Sequence, residues 1–207
     1  MLESIHREMT REALGTFVSP RALEIIIRAN LKQDSFSGLL GHDQYHFDNN
    51  AFDESYRYIN EQRSHVLASL LMPGLLPAWN AFGRLTHSVQ DFYAHTNYIS
   101  LWLDQYNGAP PPPPGIDPLQ KDLIDSPGLA SGRVYLPFDA LYFVPGLRKL
   151  SLACLPRDSH GWMNLDSQVQ GPRFEYARAA AVKRTRHEFE LLQKLLTPEM
   201  SARFTDL

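Results

Sequence analysis

The chain has 207 residues, 43% hydrophobic and 21% charged, which is the balance of a globular domain able to bury a core without disulfides. A net charge of −3 excludes a strongly basic surface, so no stable nucleic-acid partner held by phosphate contacts is expected. No apolar run approaches the roughly 18 residues of a membrane span, and the first residues lack a signal-peptide core, which points to the cytoplasm.

In chain order, Leu2, Ile5, Met9 and Ala13 recur at helical spacing and predict a helix over Leu2–Leu14. Ser19-Pro20, an N-cap followed by proline, opens a second over Arg21–Leu31. A third is expected over Phe52–Met72, ended by Pro73-Gly74, and the longest over about Pro77–Tyr106. The last runs over Pro172–Leu196, and Thr197-Pro198 starts a short terminal turn. Residues 105–171 hold ten of the fifteen prolines and seven of the twelve glycines, too many for long helices. They also carry Leu136, Phe138, Leu141, Tyr142, Phe143, Val144 and Leu147, too apolar for a free linker. The expectation is one all-α domain over 1–207. A long excursion with one or two short strands packs over its helices.

The longest helix carries the main signal. His87, Asp91 and His95 stand at i, i+4 and i+8 and span only about 80° of the circumference, beside an apolar stripe of Phe82, Leu85, Val89, Phe92, Ile99 and Leu103. Tyr98 and Trp102 continue the polar stripe, so this helix is expected to be enclosed on most sides. Two imidazoles and a carboxylate on one face suit a zinc-like ion, and a carboxylate between two histidines can bridge two ions. Incidental surface groups or hydrogen-bonded core histidines would give the same triplet. His42-Asp43 and His46-Phe47-Asp48 form a second cluster on a loop, His6 points inward from the first helix, and His160 and Asp166 follow the excursion. With Asp34 these make five segments with metal-compatible side chains, which one multi-metal site explains together. His65 and His187 have no such context and read as structural or solvated.

The order of these residues resembles the zinc-dependent phospholipases C and fungal single-strand nucleases, and most of all the heterokaryon-incompatibility C branch. The resemblance rests on His87-Ser-Val-Gln-Asp91-Phe-Tyr-Ala-His95, the helix His6 to Leu14, Asp34, His46-Phe-Asp48 and the loop His160 to Asp166. It implies two or three zinc ions. Asp34, His46, His87 and Asp91 would surround the first. His95 and His160, with Asn164 or Asp166, would hold the second, and His6 a third that Asp91 bridges. Manganese, iron or nickel would also suit such ligands. The implied chemistry is attack of a metal-bound hydroxide on a phosphodiester, with Asp34 orienting the water. Three departures stand out, one being that the central histidines lie closer together than in the phospholipases, a spacing the heterokaryon-incompatibility C branch shares. Asn164 occupies the position of the phospholipases' glutamate, and only five residues precede His6, where the phospholipases' mature N-terminus supplies a further ligand.

The expected substrate is a phospholipid or another phosphodiester. The loop Leu141-Tyr142-Phe143-Val144-Pro145 offers a peripheral membrane contact, or else packs into the core. A nuclease using Tyr98 and Trp102 to stack bases is the nearby alternative. A His-Asp phosphohydrolase would use His42-Asp43 with His6 but leaves His87, Asp91, His95 and His160 unexplained. The non-enzyme alternative is a metal-stabilised scaffold or lipid-binding module. Oligomeric state is not legible.

Overall fold

The computed structural model describes residues 1–39, 41–142, 144 and 146–207. Among these the architecture is all-α. The chain runs through α1 (Glu3–Leu14), α2 (Pro20–Leu31), α3 (Phe36–Leu39), α4 (Asp43–His46), α5 (Phe52–Leu70), α6 (Leu76–His95) and α7 (Tyr98–Leu103). It continues through α8 (Lys121–Ile124), α9 (Phe138–Tyr142), α10 (Arg148–Cys154), α11 (His160–Met163), α12 (Arg173–Leu195) and α13 (Pro198–Thr205).

The two cap-then-proline signals act as expected. Ser19 Oγ accepts from the Ala22 amide at the start of α2, and Thr197 Oγ1 from the Met200 amide at the start of α13. The same end of the molecule is tied shut by Trp79 Nε1 donating to Phe204 O at 2.8 Å and by Ser19 Oγ donating to Asp206 at 2.7 Å.

Helix α6 is the axis of the domain, packed against α2, α5 and α12, while α1 lies across α2 and α12. Every residue from Leu85 to His95 is buried, the signature of a helix enclosed all round. The core draws on Met9, Ile26, Ile59, Phe82, Phe92, Phe189 and Phe204 from six helices. At the α2–α6 crossing Gly83 has no Cβ to hold the backbones apart, and an added Cβ would lie 2.3 Å from Ile26 O.

Two expectations need correction. The long helix does not continue to Tyr106: it stops at His95, Thr96 is extended, and α7 restarts at Tyr98. The cause is non-local. Thr96 forms an isolated bridge with Ser131 of the excursion, while the Asn97 side chain accepts from the Ala130 amide and donates to Gly128 O. Tyr98 and Trp102 therefore leave the His–Asp stripe and are buried in the core, with Tyr98 Oη donating to Asp117 O. They are not available to stack bases.

The second correction concerns strands. The described part of the excursion contains only two isolated bridges, Thr96–Ser131 and Arg133–Ser159, and otherwise short helices and turns. Leu136, Phe138, Val144 and Leu147 are exposed and Tyr142 is buried, while Phe143 and Pro145 of the apolar loop lie outside the described residues. No described helix is long and apolar enough to cross a membrane.

Candidate metal centre

Four helices, α1, α4, α6 and α11, and the turns beside them bring the histidines and aspartates together along the buried half of α6. His6 comes from α1, Asp34 from the turn that ends α2, His46 from α4, and His87, Asp91 and His95 from α6. The ligand-type atoms of His6, Asp34, His87 and Asp91 lie within 4.8 Å of one another, as do those of Asp48, His95 and His160.

Asp91 joins the two groups. Its Oδ2 lies 3.0 Å from both His46 Nδ1 and His87 Nε2, and its Oδ1 lies 3.2 Å from His6 Nε2 and 3.9 Å from His95 Nε2. A carboxylate whose two oxygens face different imidazoles is arranged to bridge.

A buried amide network fixes how the rings present themselves. Gln90 Nε2 donates to Thr10 and Thr185, so Gln90 Oε1 is the acceptor for Asn30 Nδ2 at 3.1 Å and for His6 Nδ1–H at 2.7 Å. Asn30 Oδ1 in turn faces His87 Nδ1 at 3.4 Å. On the other side of the cluster, His46 Nε2 faces the Gly38 carbonyl at 3.4 Å and His95 Nδ1 donates to His46 O at 2.9 Å. With the outer nitrogens acting as donors, the inner nitrogens of neutral His6 and His87 turn their lone pairs toward carboxylates, and His46 Nδ1 faces the same Asp91.

Burial lowers the pKa of His6, and lowers that of His87 to about 4 despite the neighbouring aspartates, so both rings are neutral near pH 7. Burial opposes ionisation of Asp91 too, but the positive charges around it, the Met1 amino group and His95 foremost, hold it well below the usual carboxylate range. Lone pairs thus converge on an ionised carboxylate. His6 Nε2 and Asp34 Oδ2 are buried without a hydrogen-bond partner. Such atoms are costly to leave unmatched, and a divalent cation satisfies them together. The donor set of nitrogen and carboxylate oxygen fits a zinc-class ion.

The second group is built differently. Burial alone would depress His160, yet Asp48 outweighs it and raises its pKa to about 9. His95 is likewise raised well above its ordinary value, against burial, by Asp91 and Asp48. Cation binding here must displace protons from these rings.

Of Asn164 and Asp166, it is Asp166 that faces both histidines, with Oδ1 3.2 Å from His95 Nε2 and Oδ2 3.8 Å from His160 Nε2. Asn164 is turned away: its Nδ2 donates to the carbonyls of His160 and Gly161, and its Oδ1 accepts from Gln170. The Met1 backbone nitrogen lies in the cluster, 2.7 Å from Asp91 Oδ1 and 3.4 Å from Asp166 Oδ1. The structure also groups His6 directly with Asp34, His87 and Asp91. His42 and Asp43 do not belong to either group; His42 stacks on Tyr45 with ring centroids 4.5 Å apart.

Asp48 is named in the second sequence cluster but given no ligand role there, and the structure places it against the histidines of the second group. It lies between Phe47 and Asn49, which with Asn50 have positive φ of 55–58°. Three non-glycine residues in the left-handed region persist only where the surroundings hold them. Asn49 accepts from the Val134 amide and Asn50 from the Ser131 amide, while the excursion passes the His160 amide to Arg133 O. Phe47 is thereby driven into the core, and Asp48 meets His160 Nδ1 at 2.9 Å and His95 Nδ1 at 3.4 Å. Gly132 permits this close docking, since a Cβ there would lie 2.7 Å from His160 Cα.

Asp48→Ala is expected to lower affinity for the cation at the second group by about 10–100-fold, the usual cost of losing an orienting carboxylate. The first group should keep its ion. Metal content after exhaustive dialysis checks this, and unchanged stoichiometry and affinity would show that Asp48 has no part in the site.

Among known families, one match bears on this arrangement. Residues 6–108 match the VWA7 N-terminal domain. The match spans just under half of the chain and takes in His6, Asp34, His46, Asp48, His87, Asp91 and His95, but not His160 or Asp166. No curated protein and no solved structure matches the chain.

Proposed function

We propose that this chain is a metal-dependent phosphodiester hydrolase of the phospholipase C kind, holding two or three zinc ions. The observation that carries this reading is the convergence of the inner nitrogens of His6, His46 and His87 on Asp91 and Asp34, two atoms of the group being buried and unpartnered. His6, Asp34, His46, His87 and Asp91 would hold the first cation or pair of cations, and His95, His160 and Asp166 another, oriented by Asp48. When bound, such ions lower the pKa of coordinated water and offset charge on a phosphate.

The remaining work falls to the chain. Asp91 keeps the two groups at fixed spacing, and Gln90 and Asn30 hold the tautomers of His6 and His87. Asp34 is the most exposed carboxylate of the cluster, 18% against 12% for Asp166 and 11% for Asp48, so the substrate side lies beside it. Its carboxylate is placed to orient an attacking water. Phospholipids are favoured over nucleic acids because the chain is acidic and Tyr98 and Trp102 are buried.

The near-complete burial of His6, His87 and Asp91 also supports a second reading, a metal cluster that only holds the helices together. One experiment separates them. Zinc-loaded protein is assayed on a soluble aryl phosphodiester and on phospholipid vesicles, beside Asp34→Asn. Turnover that falls about 10²–10⁴-fold in the variant is the expected result. Absence of turnover on every diester while zinc stays bound would overturn the hydrolase reading in favour of the structural one.

A further inference from the structure

Beside the candidate metal centre lies a pocket of about 210 Å³ lined by Lys32, Ser35, Ser37, His42, Tyr45 and Arg84 among others. Its walls belong to the elements that carry the cluster. Lys32 and Ser35 bracket Asp34 in sequence, Tyr45 precedes His46, and Arg84 lies one turn before His87 on α6. Gly38, also in the wall, is the residue whose carbonyl faces His46 Nε2. A group seated here is therefore next to the segment that carries Asp34, since Gln33 and Ser35 on either side of it line the pocket.

The chemistry of the walls is one-sided. No lining residue is acidic, and neither Lys32 nor Arg84 forms an ion pair among the described residues. This is unusual placement in a chain of net charge −3, next to a cluster of four aspartates. The Arg84 Nε donates to Gln62 Oε1 at 2.7 Å, which orients the guanidinium while its two terminal nitrogens make no hydrogen bond among the described residues. Tyr45 is stacked against His42 and against Tyr58, with centroids 4.5 and 4.4 Å apart, and Tyr58 is held by Gln33 at 2.7 Å, so this wall is rigid. Ser35 and Ser37 supply hydroxyl donors, 3.1 Å from each other. Two cations, two hydroxyls and a fixed aromatic wall make a receptor for a phosphate or carboxylate. The volume falls below the roughly 300–1,000 Å³ of a pocket that takes a whole ligand, which matches a single substituent.

We propose that the Lys32–Arg84 pocket is an anion subsite that receives a phosphate or carboxylate carried by the substrate next to its scissile diester. Resting on the hydrolase reading above, this gives the enzyme an anionic-head-group preference and sets it against cationic head groups such as choline. The anion can come from a lipid head group or from a soluble phosphodiester.

The test has two arms. In the first, sulfate binding to the protein, with and without zinc, is measured by calorimetry for wild type, Lys32→Gln and Arg84→Gln. Loss of affinity by about tenfold or more in each variant, with an unchanged melting temperature, is the expected result. Equal affinity in all three proteins would overturn the subsite, whatever the protein catalyses. In the second, kcat/KM is compared on glycerophosphoserine and glycerophosphocholine, and on vesicles of the corresponding phospholipids. A preference for the serine esters that Arg84→Gln removes through KM supports the subsite. It assigns the lipid source if confined to vesicles and the soluble source if confined to the free esters. Wild-type preference for choline esters would overturn it. If no diester turns over, the hydrolase reading fails and the sulfate arm alone decides the subsite.

Discussion

On the proposed function, replacing Asp91 by alanine is expected to empty the first group of metal and to lower hydrolysis by about a thousandfold or more, since both would depend on one fully buried carboxylate. Asp91 faces His46 and His87 with one oxygen and His6 with the other. Alanine leaves three imidazoles and Asp34 with no bridge between them, and no nearby carboxylate can swing in: Asp48 and Asp166 are committed to His95 and His160. The change also removes a counter-charge from His95, whose raised pKa depends first on Asp91 once burial has been overcome.

Some destabilisation of metal-free protein is therefore expected too, of order 3–5 kcal/mol for a buried pair broken on one side. The zinc dependence of the melting temperature separates the two effects. Ligand at about a thousand times Kd stabilises by ~4 kcal/mol, which is about 8–16 °C for a chain of this length. Wild type should show a rise of at least that size and Asp91→Ala a clearly smaller one, since only the second group remains, with elemental analysis falling in parallel. An equal zinc-dependent rise in the variant would mean that the cluster does not bind metal through Asp91.

What the sequence disclosed and what it withheld follow from the range of the forces involved. The stripe of His87, Asp91 and His95 was legible because helical periodicity is local, and the starts of α2 and α13 were legible because a cap acts within one turn. The end of α6 was not, because Thr96-Asn97 carries neither proline nor glycine and the break is fixed by a distant partner. Ser131, thirty-five residues on, draws that backbone out. Asp48 was hidden for the same reason: its loop reads as an ordinary polar turn until Ser131 and Val134 pin Asn50 and Asn49 in left-handed conformations.

The choice between Asn164 and Asp166 turned on side-chain direction, which spacing alone does not give; the Asn164 amide is spent on the carbonyls of α11. Gln90 looked like filler between two ligands yet holds His6, Asn30, Thr10 and Thr185 at once. Lys32 and Arg84 are fifty-two residues apart, and a lone cation in sequence is indistinguishable from a solvated one.

Gly83→Val is expected to destabilise the fold by about 3 kcal/mol or more, the upper end of overpacking costs, and to weaken metal binding as well. At Gly83 a Cβ would stand 2.3 Å from Ile26 O, 2.7 Å from Ala29 Cβ and 3.1 Å from the Asn30 amide nitrogen. Two of these are backbone atoms of α2, so no side-chain rotation relieves the clash and α2 must move away from α6. Alanine is the milder test, because its helix propensity returns about 1 kcal/mol relative to glycine and offsets part of the strain.

The movement has a chemical consequence. Asn30 sits at this crossing and holds the His87 and Gln90 side chains, and Asp34 follows directly from the end of α2. Displacing α2 therefore loosens the tautomer control of His87 and draws Asp34 away from His6 and Asp91. A melting temperature lower by about 6–12 °C, together with weaker zinc binding in the protein that remains folded, is the expected pair of results. Gly108→Ala, where an added Cβ meets nothing within 4 Å, serves as the control and should change stability by no more than about 0.5 kcal/mol. A Gly83→Val protein as stable as this control would show that α2 and α6 do not cross so closely in solution, and the placement of Asp34 against His87 would fall with it.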